Sequence, residues 1–217
     1  MIARYRLAAI LMMGAALAGC KHSGDVVMSD GVGITAVRTP CPAVGVPDYT
    51  GDITTFRTPG DKSAANVDVT ATITDVRSTC DETAADKIYT NVTFNVYATR
   101  TNTQGARQVT LPYYSTVVRG GSSVVTKRVG QVTLNFANGQ ARTSASAQAG
   151  AFVDRAAATL PEDIRKQITK PRKAGDADAA VDPLSDPSVK AAVERATFEL
   201  LVGFQLTQDQ LAYNVTR

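Results

Sequence analysis

Between Asn66 and Asp154 the chain repeats one pattern, apolar and polar residues in strict alternation, and this restricts the fold more than any other feature. In "NVDVTATITDV" the alternation puts Val67, Val69, Ala71 and Ile73 on one face. In "IYTNVTFNVYATR" it puts Ile88, Val92, Phe94 and Val96 on one side, with Tyr89, Tyr97 and threonines on the other. A period of two is the mark of half-buried antiparallel strands. Threonine and valine dominate these stretches, and their branched side chains pack well on a pleated surface. With no tryptophan and only 6% aromatic residues, the core has to be built mainly from valine, alanine, leucine and isoleucine.

Turns punctuate the strands. "TNTQGAR" separates the second strand from "RQVTLPYYSTVV", and "RGGSS" separates that strand from "VVTKRVGQVTLNF". Asn138-Gly139 then predicts a hairpin, because a type I′ turn needs positive φ at both central residues. Pro112 cannot donate to a ladder and implies an edge or a bulge. After the Asn-Gly turn, Ala141, Thr143, Ala145, Ala147, Ala149, Ala151 and Val153 alternate with larger or polar residues. Helix propensity and period disagree here, and the sevenfold alternation favours a strand with one small-residue face. The protein's own C-terminal helix is the expected occupant of that face.

The flanking regions read differently. Prolines 40, 42, 47 and 59 make the stretch before the strands loop-rich, with short strands such as Asp52 to Arg57. Toward the C-terminus, "LPEDIRKQITK" carries acids early and bases late, as the helix dipole prefers. "KPRKAGDADAAVDPLSDP" reads as a polar linker; its Asp176 and Asp178 lack the glycine and terminal glutamate of a calcium loop. "PSVKAAVERATFELLVG" predicts one helix capped by Asp186, with a stripe from Val189 through Ala192, Val193 and Ala196 to Leu200, widened by Phe198, Leu201 and Val202 and stopped by Gly203. Thr207 and Gln210 match a capping box, with Leu206 and Leu211 as staple, opening a last short helix. The expected fold is α+β: a mainly antiparallel, sandwich-like β-sheet domain followed by two or three C-terminal helices.

The first residues, "MIARYRLAAILMMGAALAG", place two arginines before an apolar run from Leu7 to Ala18 and end in small residues. This is the layout of a secretory signal peptide, and the run is too short for a spanning anchor. Leu17-Ala18-Gly19-Cys20 resembles the bacterial lipobox. That resemblance implies cleavage before Cys20, a diacylglyceryl group on its thiol and an acylated (palmitate-type) amino terminus. Two or more chains give stable anchoring, each buried methylene contributing about 0.8 kcal/mol. Lys21, where an aspartate would signal inner-membrane retention, implies the outer membrane, its periplasmic face favoured. Residues 20–33 then act as a flexible tether, and the only histidine, His22, is part of it. The implied organisation is a signal peptide over 1–19, the tether, and one periplasmic domain over 34–217, β-rich to 154 and helical from 155.

The remaining thiols are Cys41 and Cys80, an even pair that reads as a disulfide in an exported chain. The formal charge is +3. Without Arg4 and Arg6 the balance is nearly neutral, which gives no footprint for nucleic acid. No nucleophile stands beside a base, and Asp81-Glu82 beside Cys80 reads as a solvated pair. There is no phosphate-binding glycine loop and no ligand set for a metal. Non-enzymatic roles without cofactors follow. The first is an accessory or structural subunit of an envelope assembly, its partners being the bilayer, through acylated Cys20, and an unknown envelope protein. The alternative is a β-sheet module for a glycan or lipid, for which Tyr97, Tyr113 and Tyr114 are the available aromatics. Tyr113 and Tyr114 fall on opposite faces of one strand.

Overall fold

The computed structural model describes residues 39–172 and 175–216; the signal peptide, Cys20, Lys21, His22 and the tether lie outside them. Residues 39–170 and 181–216 form one compact unit. Residues 171–172 and 175–180 belong to a second unit, in which Arg172 pairs with Asp178 at 3.8 Å.

The strands are β1 (Ala43–Gly45), β2 (Asp52–Phe56), β3 (Val67–Asp81), β4 (Lys87–Arg100), β5 (Arg107–Arg119), β6 (Ser123–Phe136), β7 (Arg142–Asp154) and β8 (Phe198–Phe204). They form two four-stranded sheets, the first in the order β1-β8-β5-β6 and the second β2-β3-β4-β7. Among the described residues only β1–β8 is a parallel pair. The inner faces share one hydrophobic core that includes Phe94, Val96, Leu134, Phe136, Leu200 and Val202. The α+β reading therefore holds, with a mainly antiparallel two-sheet body. The helices are α1 (Arg155–Ala158), α2 (Glu162–Thr169), α3 (Pro187–Ala196) and α4 (Gln208–Thr216).

The alternation on β4 is followed without a break. Ile88, Thr90, Val92, Phe94, Val96, Ala98 and Arg100 are all buried, while Tyr89 and Tyr97 point outward. On β3 the register shifts between Thr74 and Arg77, where Asp75 takes φ 53°. This bulge interrupts the ladder to β4. Pro112 lies inside β5 opposite Gln131, at the last rung of the ladder to β8: pairing runs from Tyr113 onward, and Pro112 O accepts from Gln205 N at 2.9 Å, so the missing N–H falls where that ladder ends.

Three expectations are corrected. The Asn138-Gly139 turn does not make a hairpin, because β6 and β7 belong to different sheets. Of the two residues only Gly139 has positive φ (78°), and its N–H donates to Thr103 O in the neighbouring loop. The turn reverses the chain, but β7 finds its ladder on β4, with 13 paired positions from Lys87↔Asp154 to Thr99↔Arg142.

The helix expected over 187–203 ends at Ala196, and Phe198–Phe204 is a strand between β1 and β5. A run apolar at nearly every position has no readable period, and a central strand buried on both faces has that same appearance. Gly203 is required by close approach rather than by a helix end: a Cβ there would run into Thr50 Oγ1 and the Tyr114 ring.

The small-residue face of β7 is not covered by the last helix. Ala145, Ala147 and Ala149 pack against the shared core. Helix α4 instead lies on β2: Tyr213 meets Phe56 edge-on at 5.1 Å, and Asn214 Nδ2 donates to Tyr49 O and Asp52 O at 2.7 and 2.8 Å. The helix starts form as their sequences direct. Asp186 accepts from Ser188 N at 2.8 Å, and Thr207 and Gln210 cap each other reciprocally at 2.9 and 3.2 Å.

Candidate functional site: the edges and the open end of the sandwich

The two long edge strands, β6 and β7, adjoin each other. At one end they are tied together by the two loops that pass between the sheets, 101–106 and 137–141. Arg100 closes β4 there with its side chain turned into the core, 2% exposed. Its Nε donates to Gln140 O (2.8 Å), and Nη2 donates to the carbonyls of Thr103 (3.0 Å), Gly105 (2.9 Å) and Ala137 (2.8 Å). These carbonyls come from both loops, so one guanidinium fixes both crossings. Sequence reading passed over this residue. Its signal was parity, since Arg100 continues the even-numbered row whose other members are core.

Toward the other end a cleft of about 250 Å³ opens between the sheets. Val117, Leu200 and Ala151 form its floor and are buried, while Val125, Arg128 and Phe152 stand at its rim. Ser115 lies opposite Arg128 in the β5–β6 register, so both project to the inner side. Arg128 has no ion-pair partner among the described residues. It too was visible by parity, because it extends the inward row of Val132, Leu134 and Phe136.

The three tyrosines do not converge. Tyr97 stands exposed on the outer face of β4. Tyr113 turns inward against Phe94, with ring centroids 5.2 Å apart, and donates from its hydroxyl to Gln148 O at 2.8 Å. It thereby fastens the first sheet to β7. Tyr114 faces outward, donating to Thr50 Oγ1 at 3.2 Å beneath Lys127, whose Nζ is 4.9 Å from the ring centre. They occupy three separate environments.

Cys41 and Cys80 are bridged, with Cα atoms 6.1 Å apart. The Glu82 carboxylate sits beside the bridge, its Oε1 2.9 Å from Cys41 Sγ and accepting from Thr39 Oγ1 at 3.0 Å. Sulfur in a disulfide offers no thiolate, so these three residues make no metal centre in this state. Asp81 and Glu82 do not act as a pair: Asp81 accepts from Thr83 N at 2.8 Å, and the bonds from Thr83 hold its carboxyl below the usual range.

A broader depression of about 670 Å³ lies where β7 passes into α1. Of the charged residues that line it, Asp154 and Arg155 are committed to local structure, and Asp86 accepts from Arg155 N through its backbone carbonyl at 2.9 Å. Asp154 caps α1 through Ala157 N (3.0 Å), and Arg155 donates to the carbonyls of Glu82 and Ala84. Elsewhere, Asp68 of β3 and Arg107 of β5 form a bidentate pair at 2.7 Å that links the two sheets. The hydrogen bonds from Arg107 hold the Asp68 carboxyl low.

Among the described residues no helix is long and apolar enough to cross a membrane. No family model matches the chain, and neither a curated protein nor a solved structure is significantly similar to it.

Proposed function

We propose that this is a lipid-anchored protein of the cell envelope, held in the outer membrane by acylated Cys20, which serves as a non-catalytic accessory or structural subunit of a larger envelope assembly. The observation that carries this reading is the edge of β7 away from β4, which pairs with no strand among the described residues. From Thr143 to Val153 the strand has no charged residue and no proline, and its register with β4 is unbroken. Edges of soluble sheets are normally blunted by charges, prolines or bulges, and a strand that lacks these guards is a template for pairing with another chain. Tyr113 caps the Gln148 carbonyl, which leaves the stretch from Ala149 onward as the accessible part. The Cys41–Cys80 bridge supports an oxidising compartment.

The test is photo-cross-linking in intact cells from a reactive residue at Gln148, whose side chain is exposed, with Cys20→Ala as control. One stoichiometric adduct, lost with the anchor, supports an assembly subunit. A chain that cross-links to nothing at β7 overturns the reading.

A further inference from the structure

The cleft at the open end shares Gly150, Ala151 and Phe152 with the accessible part of β7, but the rest of its lining has a composition that edge docking does not use. Its floor is core: Leu200 and Val117 are among the most buried side chains of the domain. Over that floor, on the inner side of an edge strand, stands Arg128 without a counter-charge among the described residues, opposite the Ser115 hydroxyl. A strand added to β6 would enclose this guanidinium unpaired, which is costly. A glycan would call for stacking aromatics on a concave surface, and the one aromatic lining this cleft, Phe152, has its ring against Tyr89 at 4.7 Å on the outer face of the sheet. An apolar trough with one cation at its mouth instead matches a hydrocarbon chain ending in an anion. The volume, about 250 Å³, is below the roughly 300–1,000 Å³ of drug-sized pockets and admits one chain rather than a ring system or a two-chain lipid.

We infer that the cleft between β5–β6 and β7 binds a single-chain anionic amphiphile, its chain against Val117, Ala151 and Leu200 and its headgroup on Arg128. The inference does not rest on the envelope reading, since it uses only residues of the folded domain.

The experiment is equilibrium dialysis of the full chain against labelled dodecanoate below its micellar concentration, with dodecanol as the uncharged comparison. One saturable site is expected, weakened about tenfold or more in Arg128→Gln, largely retained in Arg128→Lys, and weakened in Val125→Phe, which crowds the rim. That factor corresponds to about 1.4 kcal/mol, within the range of one charge-assisted hydrogen bond. The difference between wild type and Arg128→Gln separates the cleft from any binding by the apolar leader. Repeating that difference with lysophosphatidylglycerol, a single-chain lipid, distinguishes the source: loss in both arms assigns a single-chain membrane lipid, loss with dodecanoate alone a free anion. Equal binding by wild type and Arg128→Gln, equal binding of dodecanol, or no binding in either arm overturns the inference. So does saturable binding of an acidic extended peptide that dodecanoate does not displace; Arg128 would then serve a β6 docking edge.

Discussion

Arg100 and Phe136 end adjacent crossings between the sheets, and the guanidinium carbon of one lies 5.1 Å from the ring centre of the other. The contact is a cation over an aromatic face in a site closed to water, where such contacts are strongest. Arg100→Ala would remove it and leave the carbonyls of Thr103, Gly105, Ala137 and Gln140 without their donor. A loss of about 3 kcal/mol or more is expected in urea unfolding. Arg100→Lys should recover only part, because an ammonium cannot reproduce the fork. A loss under about 1 kcal/mol for the alanine variant would mean the loops hold themselves.

The Cys41–Cys80 bridge ties the segment before β1 to the end of β3 across 39 positions. Reducing it is expected to cost about 4 kcal/mol in the chain-entropy account, read as a fall in Tm with dithiothreitol that is absent in Cys41→Ser/Cys80→Ser. The Glu82 carboxylate repels an incoming thiolate at this bridge. Glu82→Gln should therefore speed reduction several-fold at low salt and less at high salt. An unchanged rate would place attack on the far side, at Cys80.

Asp68 supplies a pH dependence whose sign follows from its partner. Its carboxyl is held low in the folded protein by Arg107. The stability it contributes is thus present above the unfolded value, about 3.9, and is lost as pH falls through the lower folded value. Asp68→Asn should flatten the acid limb of stability below about pH 4 and cost about 1 kcal/mol near neutrality. If the acid limb keeps its slope, the titration belongs to other carboxylates.

Gly203 meets Thr50 and Tyr114 so closely that Gly203→Ala should destabilise by about 1–3 kcal/mol. Thr50→Ala introduced alongside is expected to restore part of that, as overpacking predicts and a backbone effect does not. Thermal melts of the two variants and their combination decide it.

Much of the second sheet was legible because its strands alternate cleanly; β4 repeats its inward row from Ile88 to Arg100 without a slip. The disulfide followed from cysteine arithmetic, and the cap at Thr207 from spacing alone. What was not legible needed long-range information. Asn138-Gly139 announces a reversal but not which sheet receives the next strand. Phe198–Phe204 is apolar at nearly every position, so nothing local separates a helix end from a central strand. Arg100 and Arg128 were passed over for a simpler reason: a charge at the end of an apolar row is usually solvent-facing, and here both rows continue inward.

The place of β8 has a consequence for how the molecule comes into being. Every strand of the second sheet precedes residue 155, whereas the first sheet has its centre at 198–204. During vectorial synthesis, a chain that has emerged only as far as α3 owns every strand of one sheet and lacks a central strand of the other. Strand β1 has nothing to pair with, and β5 has an open flank where Leu200 belongs. Completion of the core therefore waits on residues 198–204, which lie more than forty positions after the last strand of the second sheet.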